Sequence, residues 1–136
     1  MEMEITLPGG ARVDARFGNF TVHTDQPTHA GGADTAPSPF ALFLASIGAC
    51  AGYYVSSFCR QRGIPTDGIR LVQHSRADRE TGMVQQIDIE IQLPPDFPEK
   101  YRASVIKSAE LCAVKKHLET PPVMSVFTRE AQVMPA

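Results

Sequence analysis

Three cysteines, Cys50, Cys59 and Cys112, give this chain its widest chemical scope. A thiolate is a strong nucleophile, and two thiols that meet can close a disulfide and be reset by thiol exchange. Cys50 lies in Ala45-Ser-Ile-Gly-Ala-Cys-Ala-Gly52, where small neighbours leave room for another element or for a substrate. Cys112 lies in Ala109-Glu-Leu-Cys-Ala-Val-Lys-Lys-His117. On a continuous helix Lys115 and Lys116 follow it by one turn, and nearby cations favour a thiolate; His117 either adds to that effect or stands exposed. Cys59 falls nine residues after Cys50, half a helical turn out of phase, and reads as a packing residue. The competing expectation for all three is that of small core hydrophobes, since free cysteines are among the most buried residues. Spacing alone does not bring Cys50 to Cys112.

The elements that must position these thiols form an α+β pattern. Residues 3–7 and 11–24 read as strands, with turns at Gly9-Gly10 and Gly18-Asn19. Residues 25–37 read as a loop. Ser38 is a good N-cap and Pro39 fits the first helical position, so a helix is expected from Pro39 to about Arg62, stopped by Gly63. Phe40, Phe43, Ile47, Cys50, Tyr54 and Phe58 form one stripe on it, and Leu42, Leu44, Ala45 and Val55 widen the apolar surface. A helix apolar all round is buried on every side, which a domain this small rarely manages alone; a two-fold dimer is the simplest cover, a central helix wrapped by its own sheet the alternative. Residues 68–78 and 83–93 read as a hairpin, a second helix carries Tyr101, Val105, Ala109 and Cys112 at helical spacing, and Val123 to Thr128 reads as a last strand.

The totals fit one domain over residues 1–136, 43% hydrophobic and 21% charged, enough for a core without staples. With a net charge of -2 and no basic tract, nucleic acid is not expected as a partner. Met1-Glu2-Met3-Glu4 does not resemble a signal peptide, and the apolar stretch Phe40 to Val55 is shorter than a membrane span, so no membrane partner is expected. An odd cysteine count without a CxxC pair argues against a disulfide framework and a structural zinc site, and makes a reducing cytoplasm the expected compartment.

Asp25-Gln-Pro27, Gly31-Gly32, Ala36-Pro-Ser-Pro39, Leu42 and Ala45-Ser-Ile-Gly-Ala-Cys50 together resemble the OsmC/Ohr family, the osmotically inducible and organic hydroperoxide resistance proteins. A strand hairpin followed by a helix ending in Ala109-Glu-Leu-Cys112-Ala-Val extends the likeness over roughly residues 1–130. The resemblance implies an OsmC-like fold of antiparallel sheets around a long buried central helix, in an intertwined homodimer with two thiols per site at the subunit boundary. By position Cys50 matches the peroxidatic cysteine and Cys112 the resolving one, acting on organic hydroperoxides and reset by a small dithiol or dithiol protein. The best-characterised branch carries a Glu about ten residues before the first cysteine, where this chain reads Ser38-Pro-Phe-Ala41, and an Arg directly after two glycines, where Ala11 stands and Arg12 follows. Arg12 and Arg16 are therefore the candidate thiolate stabilisers.

No cofactor is called for: there is no phosphate loop or dinucleotide fingerprint. His23, His29, His74 and His117 are scattered without metal-ligand spacing, so no metal site is expected. Asp88 and Glu90 share the wet face of a strand and read as solvated surface. The alternative to a peroxidase is a non-catalytic member that binds a small apolar ligand or senses oxidants, favoured by Phe40-Ala41 where the peroxidases carry polar chemistry; a third expectation is a structural dimer with inert thiols.

Overall fold

A computed structural model describes residues 1–132. The first three strands, β1 (Glu4–Gly9), β2 (Arg12–Phe17) and β3 (Phe20–Thr24), form an antiparallel meander in that order. Its second turn falls at Gly18-Asn19, and the register places Asp14 opposite His23 and Phe17 opposite Phe20. Alternation puts Arg12, Asp14 and Arg16 on one face.

The connection from β3 to the central helix is organised by one buried carboxylate. Asp25 is 1% exposed. Its Oδ1 accepts the Gln26 N–H at 2.7 Å, and its Oδ2 accepts the Thr35 N–H at 3.0 Å, the Thr35 hydroxyl at 2.6 Å and the Ala33 N–H at 3.4 Å. This ties both ends of the loop to a single side chain. Gly32 is required there, since a Cβ on it would lie 1.8 Å from the Gln26 carbonyl oxygen.

The central helix, α1 (Pro39–Gln61), begins as expected, with the Ser38 hydroxyl accepting the Ala41 N–H at 3.1 Å. It ends at Gly63, whose φ of 64° turns the chain so that the Ile64 N–H returns to the Cys59 carbonyl. Its buried residues are Ile47, Ala51, Val55, Phe58 and Cys59, a stripe rotated from the expected one. Several rows of α1 are apolar, and the row that is covered is the one its neighbours can reach. Phe40 and Tyr53 remain 54% and 59% exposed, so a single chain covers only one side. At 23 residues α1 is also longer than the apolar stretch read from the sequence, and is long and apolar enough to cross a membrane by length and composition alone.

Strands β4 (Arg70–Ala77) and β5 (Val84–Gln92) form the expected antiparallel hairpin. Asp78 closes its loop by accepting the N–H groups of Glu80 and Thr81. On β5 the isoleucines 87, 89 and 91 turn inward, while Asp88 and Glu90 are exposed and bonded to Gln86 and Gln92. Gln73 of β4 donates to the Leu44 carbonyl of α1 at 2.9 Å.

The second helix departs from expectation. A 3-10 turn (Glu99–Tyr101) leads into α2 (Arg102–Ala109), the chain then breaks at Glu110-Leu111-Cys112, and a separate helix, α3 (Ala113–Glu119), follows. Cys112 is extended, with φ -47° and ψ 124°. Val105, Ala109 and Cys112 still point toward α1, so their spacing fits a broken helix as well as a continuous one. The core joins α1 to α2 and the hairpin through Val55, Phe58, Cys59, Phe97 and Val105, with Leu71, Ile91 and Tyr101 packed against them.

The strand expected over Val123 to Thr128 does not form: residues 121–132 carry no regular structure and are exposed. A strand is stabilised by its neighbours, and among the described residues no strand pairs with the segment.

The Asp25 carboxyl is held at about 2, against 3.8 for a free one, chiefly by the hydroxyl and N–H of Thr35 and then the Gln26 N–H. The unfolded chain binds the extra proton between those values, so this contribution to stability is complete above about pH 3.8 and is lost as pH falls toward 2. Acid unfolding followed by circular dichroism should therefore lose its steepest segment in Asp25→Asn, which will also be less stable than the parent at neutral pH.

Candidate thiol site

The break before α3 brings two of the three cysteines together. Cys112, 2% exposed, is buried against α1, with its sulfur 3.9 Å from the Ile47 carbonyl oxygen. The Cys50 and Cys112 thiols are within hydrogen-bonding contact, and all three cysteines are free. Cys59 is fully buried in the core. It serves as packing on the far side of α1, as its phase on the helix predicts.

The two thiols are driven in opposite directions. Burial pushes Cys50 up, but the Val114 N–H, the Cys112 thiol and the Ala113 N–H outweigh it and hold Cys50 below the ordinary cysteine range. Burial also pushes Cys112 up, and its contact with Cys50 adds to that; the N–H groups of Lys115 and Val114 oppose the rise without reversing it. The expectation that Lys115 and Lys116 would lower Cys112 through their charge is therefore corrected. Neither lysine charge is among the groups that set Cys112, and Lys115 acts through its backbone N–H. Main-chain donors at Cys50 were not foreseeable, because they exist only where the helix is interrupted. Cys59 is raised by burial, only partly offset by Arg62.

Arg12 and Arg16 stand exposed on β2, and neither is among the groups that set the ionisation of Cys50 within this chain. Asp14, between them, pairs with His23 at 3.1 Å. Asp88 and Glu90 lie on the outer side of β5, although Asp88 reaches the rim of the cavity beside Cys112. Among the described residues no group of three or more side chains is arranged to hold a metal ion.

Two cavities lie around α3, and one of them reaches Cys112. One, of about 500 Å³, lies between α1, β5, α2 and α3; Ile47, Ala51, Ile87, Ile106 and Leu118 line it, with Cys112 and Lys115. The other, of about 470 Å³, lies over α3 and is walled by Phe43, Val114, Leu118, Pro122 and Met124, with Ala113 and His117. Phe43 is two turns before Cys50 on the same side of α1, and Ala113 and Val114 are the residues whose N–H groups reach the Cys50 sulfur. A nucleophilic sulfur in contact with a second thiol that itself lines an apolar cavity can attack a small electrophile and then close a disulfide.

The family model described as OsmC-like protein matches residues 31–126. Among solved structures, a protein of Psychrobacter arcticus 273-4 named for osmotic stress and detoxification response is 22% identical, with a TM-score of 0.72 over 84% of this chain and 85% of that one. The OsmC-like protein of Mycoplasma pneumoniae is 13% identical, with a TM-score of 0.68 over 88% and 87%. The organic hydroperoxide resistance protein OhrB of Bacillus subtilis is 20% identical, with a TM-score of 0.52 over 89% and 93%. These likenesses establish the fold. No curated protein matches the sequence.

The opposed thiols predict the order of alkylation. Substoichiometric iodoacetamide at neutral pH should label Cys50 first and Cys112 later, leaving Cys59 unlabelled until denaturant is added, as read by peptide mass spectrometry. Cys112→Ala removes one donor to Cys50 and should slow its labelling several-fold, since about one unit of thiol pKa corresponds to about tenfold in thiolate at neutral pH.

Proposed function

The chain belongs to the OsmC-like protein family, and from that premise we propose that it is a thiol peroxidase that reduces organic hydroperoxides. The contact between the Cys50 and Cys112 thiols, with Cys50 held toward its thiolate, carries this reading. Two relatives of the same fold, from Bacillus subtilis and Elizabethkingia anophelis, are named organic hydroperoxide resistance proteins.

In the proposed cycle the Cys50 thiolate attacks the terminal peroxide oxygen. The O–O bond breaks, an S–O bond forms, and the leaving alkoxide takes up a proton to become the alcohol. Sulfur is oxidised by two electrons to the sulfenic acid. The Cys112 thiol then attacks the Cys50 sulfur, water leaves, and a disulfide forms. A dithiol reductant restores both thiols by exchange. Isoleucine, phenylalanine and proline walls favour an organic substituent over hydrogen peroxide. The raised Cys112 stays protonated during the first step, so it does not compete with Cys50 for the peroxide, and its proton leaves with the sulfenic hydroxyl as water in the second.

A homodimer completes this reading. The uncovered side of α1 and the unpaired, apolar segment 121–132 are surfaces that a second copy would bury. Arg12 or Arg16 of a partner would then be able to approach Cys50. A reducing cytoplasm would keep the thiols ready. The non-catalytic alternative draws on one observation, the absence of an acid at Ser38-Pro-Phe-Ala41; such a protein would be stabilised by apolar ligands and oxidised slowly.

Anaerobic single-turnover oxidation separates the two. Cumene hydroperoxide should consume two thiols per chain and yield a Cys50–Cys112 disulfide, outpacing hydrogen peroxide by roughly tenfold or more, the discrimination a small apolar pocket supplies. Cys50→Ser should abolish the reaction, and Cys112→Ser should stop at a trappable sulfenic acid. Slow, unselective oxidation, or oxidation at Cys59, would leave the binding alternative standing.

A further inference from the structure

We infer that the reducing dithiol enters through the cavity between α1, β5, α2 and α3 and attacks the Cys112 sulfur of the oxidised pair, expelling Cys50. The inference rests on the redox pair of the peroxidase reading and assigns the sulfur at which the site is reset.

A disulfide offers two sulfurs to an incoming thiolate, and the outcome depends on access and on which thiol leaves more readily. Access favours Cys112. Its side chain lines the cavity of about 500 Å³ together with Ile47, whose carbonyl oxygen lies 3.9 Å from the Cys112 sulfur. Cys50 lines neither this cavity nor the one over α3. Cys112 is 2% exposed, so a reagent meets it from the cavity and not from open solvent. Cys50 is less buried in a single chain. Tyr53, one turn after it and on the same side of α1, is 59% exposed, and this is the side that a second copy would cover.

The leaving group favours the same sulfur. A thiol of lower pKa leaves faster. Burial raises Cys50, but the N–H groups of Val114 and Ala113 help to hold it below the ordinary cysteine range, and both remain in place when Cys50 is expelled as a thiolate. Attack at Cys50 would instead expel Cys112, which burial makes the poorer leaving group. The cavity has the size of a small-molecule site, and its walls of Ile87, Ile91 and Ile106 suit the carbon frame of a small dithiol.

The exchange balances. One thiolate of the reductant bonds to the Cys112 sulfur, the Cys50–Cys112 bond breaks, and its electron pair leaves on Cys50. The second thiolate of the reductant then attacks the reductant's own bonded sulfur, closes a cyclic disulfide and releases Cys112. Two electrons pass to the protein. Of the two protons the dithiol gives up, one goes to Cys112 and the other to Cys50 or to solvent.

Diamide closes the protein disulfide without a peroxide, so the test is independent of peroxidase activity. A monothiol, 2-mercaptoethanol, lacks the second step and should be caught as a mixed disulfide on Cys112. Cys50 should then be the thiol that N-ethylmaleimide labels at the quench, as read by peptide mass spectrometry. Ile106 lines the cavity and is 53% exposed, so it can be enlarged without overpacking the core. Ile106→Trp should slow reduction of the disulfide by dithiothreitol about tenfold or more, the scale on which apolar pockets discriminate by shape. Alkylation of reduced Cys50 by iodoacetamide should keep its rate in that variant. The mapping uses the parent protein and stands even where Ile106→Trp does not fold. A mixed disulfide on Cys50, one shared equally by the two sulfurs, or reduction indifferent to a folded Ile106→Trp would overturn the inference and leave the peroxidase reading in place. Failure of diamide to form any Cys50–Cys112 disulfide would overturn both.

Discussion

The site depends on the interruption between α2 and α3. Glu110 and Leu111 still fold back on the preceding turn, their N–H groups reaching the carbonyls of Ile106 and Ser108, but Cys112 is extended and restarts the helix at Ala113. This places one sulfur against α1 and aims the first N–H groups of α3 at another. Burial alone would push a cysteine away from its thiolate. At Cys50, which is only partly buried, the main-chain donors and the Cys112 thiol together win. At Cys112 burial wins. One local feature of the backbone thus shifts two adjacent thiols in opposite directions.

The remaining elements hold that feature in place. α2 is pinned to α1 by Val105 against Val55 and Cys59, and by the Ser108 hydroxyl donating to the Tyr54 carbonyl at 3.0 Å. Full burial of an aliphatic side chain of this kind contributes about 1.5–3 kcal/mol, while the neutral hydrogen bond contributes about 1 kcal/mol, so packing dominates and the bond fixes the register. At the end of α1 the Arg62 guanidinium lies 3.7 Å from the centre of the Phe58 ring and donates to the Phe58 carbonyl. That stack lies at the end of the core in which Cys59 is fully buried.

Much of this was legible in the residues. Ser38-Pro39 and Gly63 delimit α1 because caps act locally, and the strict alternation of β5 separates its isoleucines from Asp88 and Glu90. The loop from Asp25 to Pro37 was readable as a loop, but not the reason for Asp25 and Gly32, which is a carboxylate and a carbonyl meeting residues up to ten positions away. The break before Cys112 left no sign: Glu and Leu are good helix formers, no Gly or Pro marks it, and Val105, Ala109 and Cys112 keep an apolar period either way. The main-chain donors at Cys50 follow from that break, so they were hidden with it. Val123 to Thr128 has strand composition but pairs with no strand among the described residues, since composition reports propensity and pairing is a property of the assembled sheet.

The central claim is that the main-chain N–H groups together with the neighbouring thiol outweigh burial at Cys50, and that burial prevails at Cys112. The most direct measurement is a site-resolved titration of the reduced protein, following the carbon-13 shift of each cysteine Cβ with pH. Cys50 is expected to titrate below an ordinary cysteine and Cys112 above it. Both thiols titrating together in the ordinary range, or Cys112 ionising first, would contradict the account.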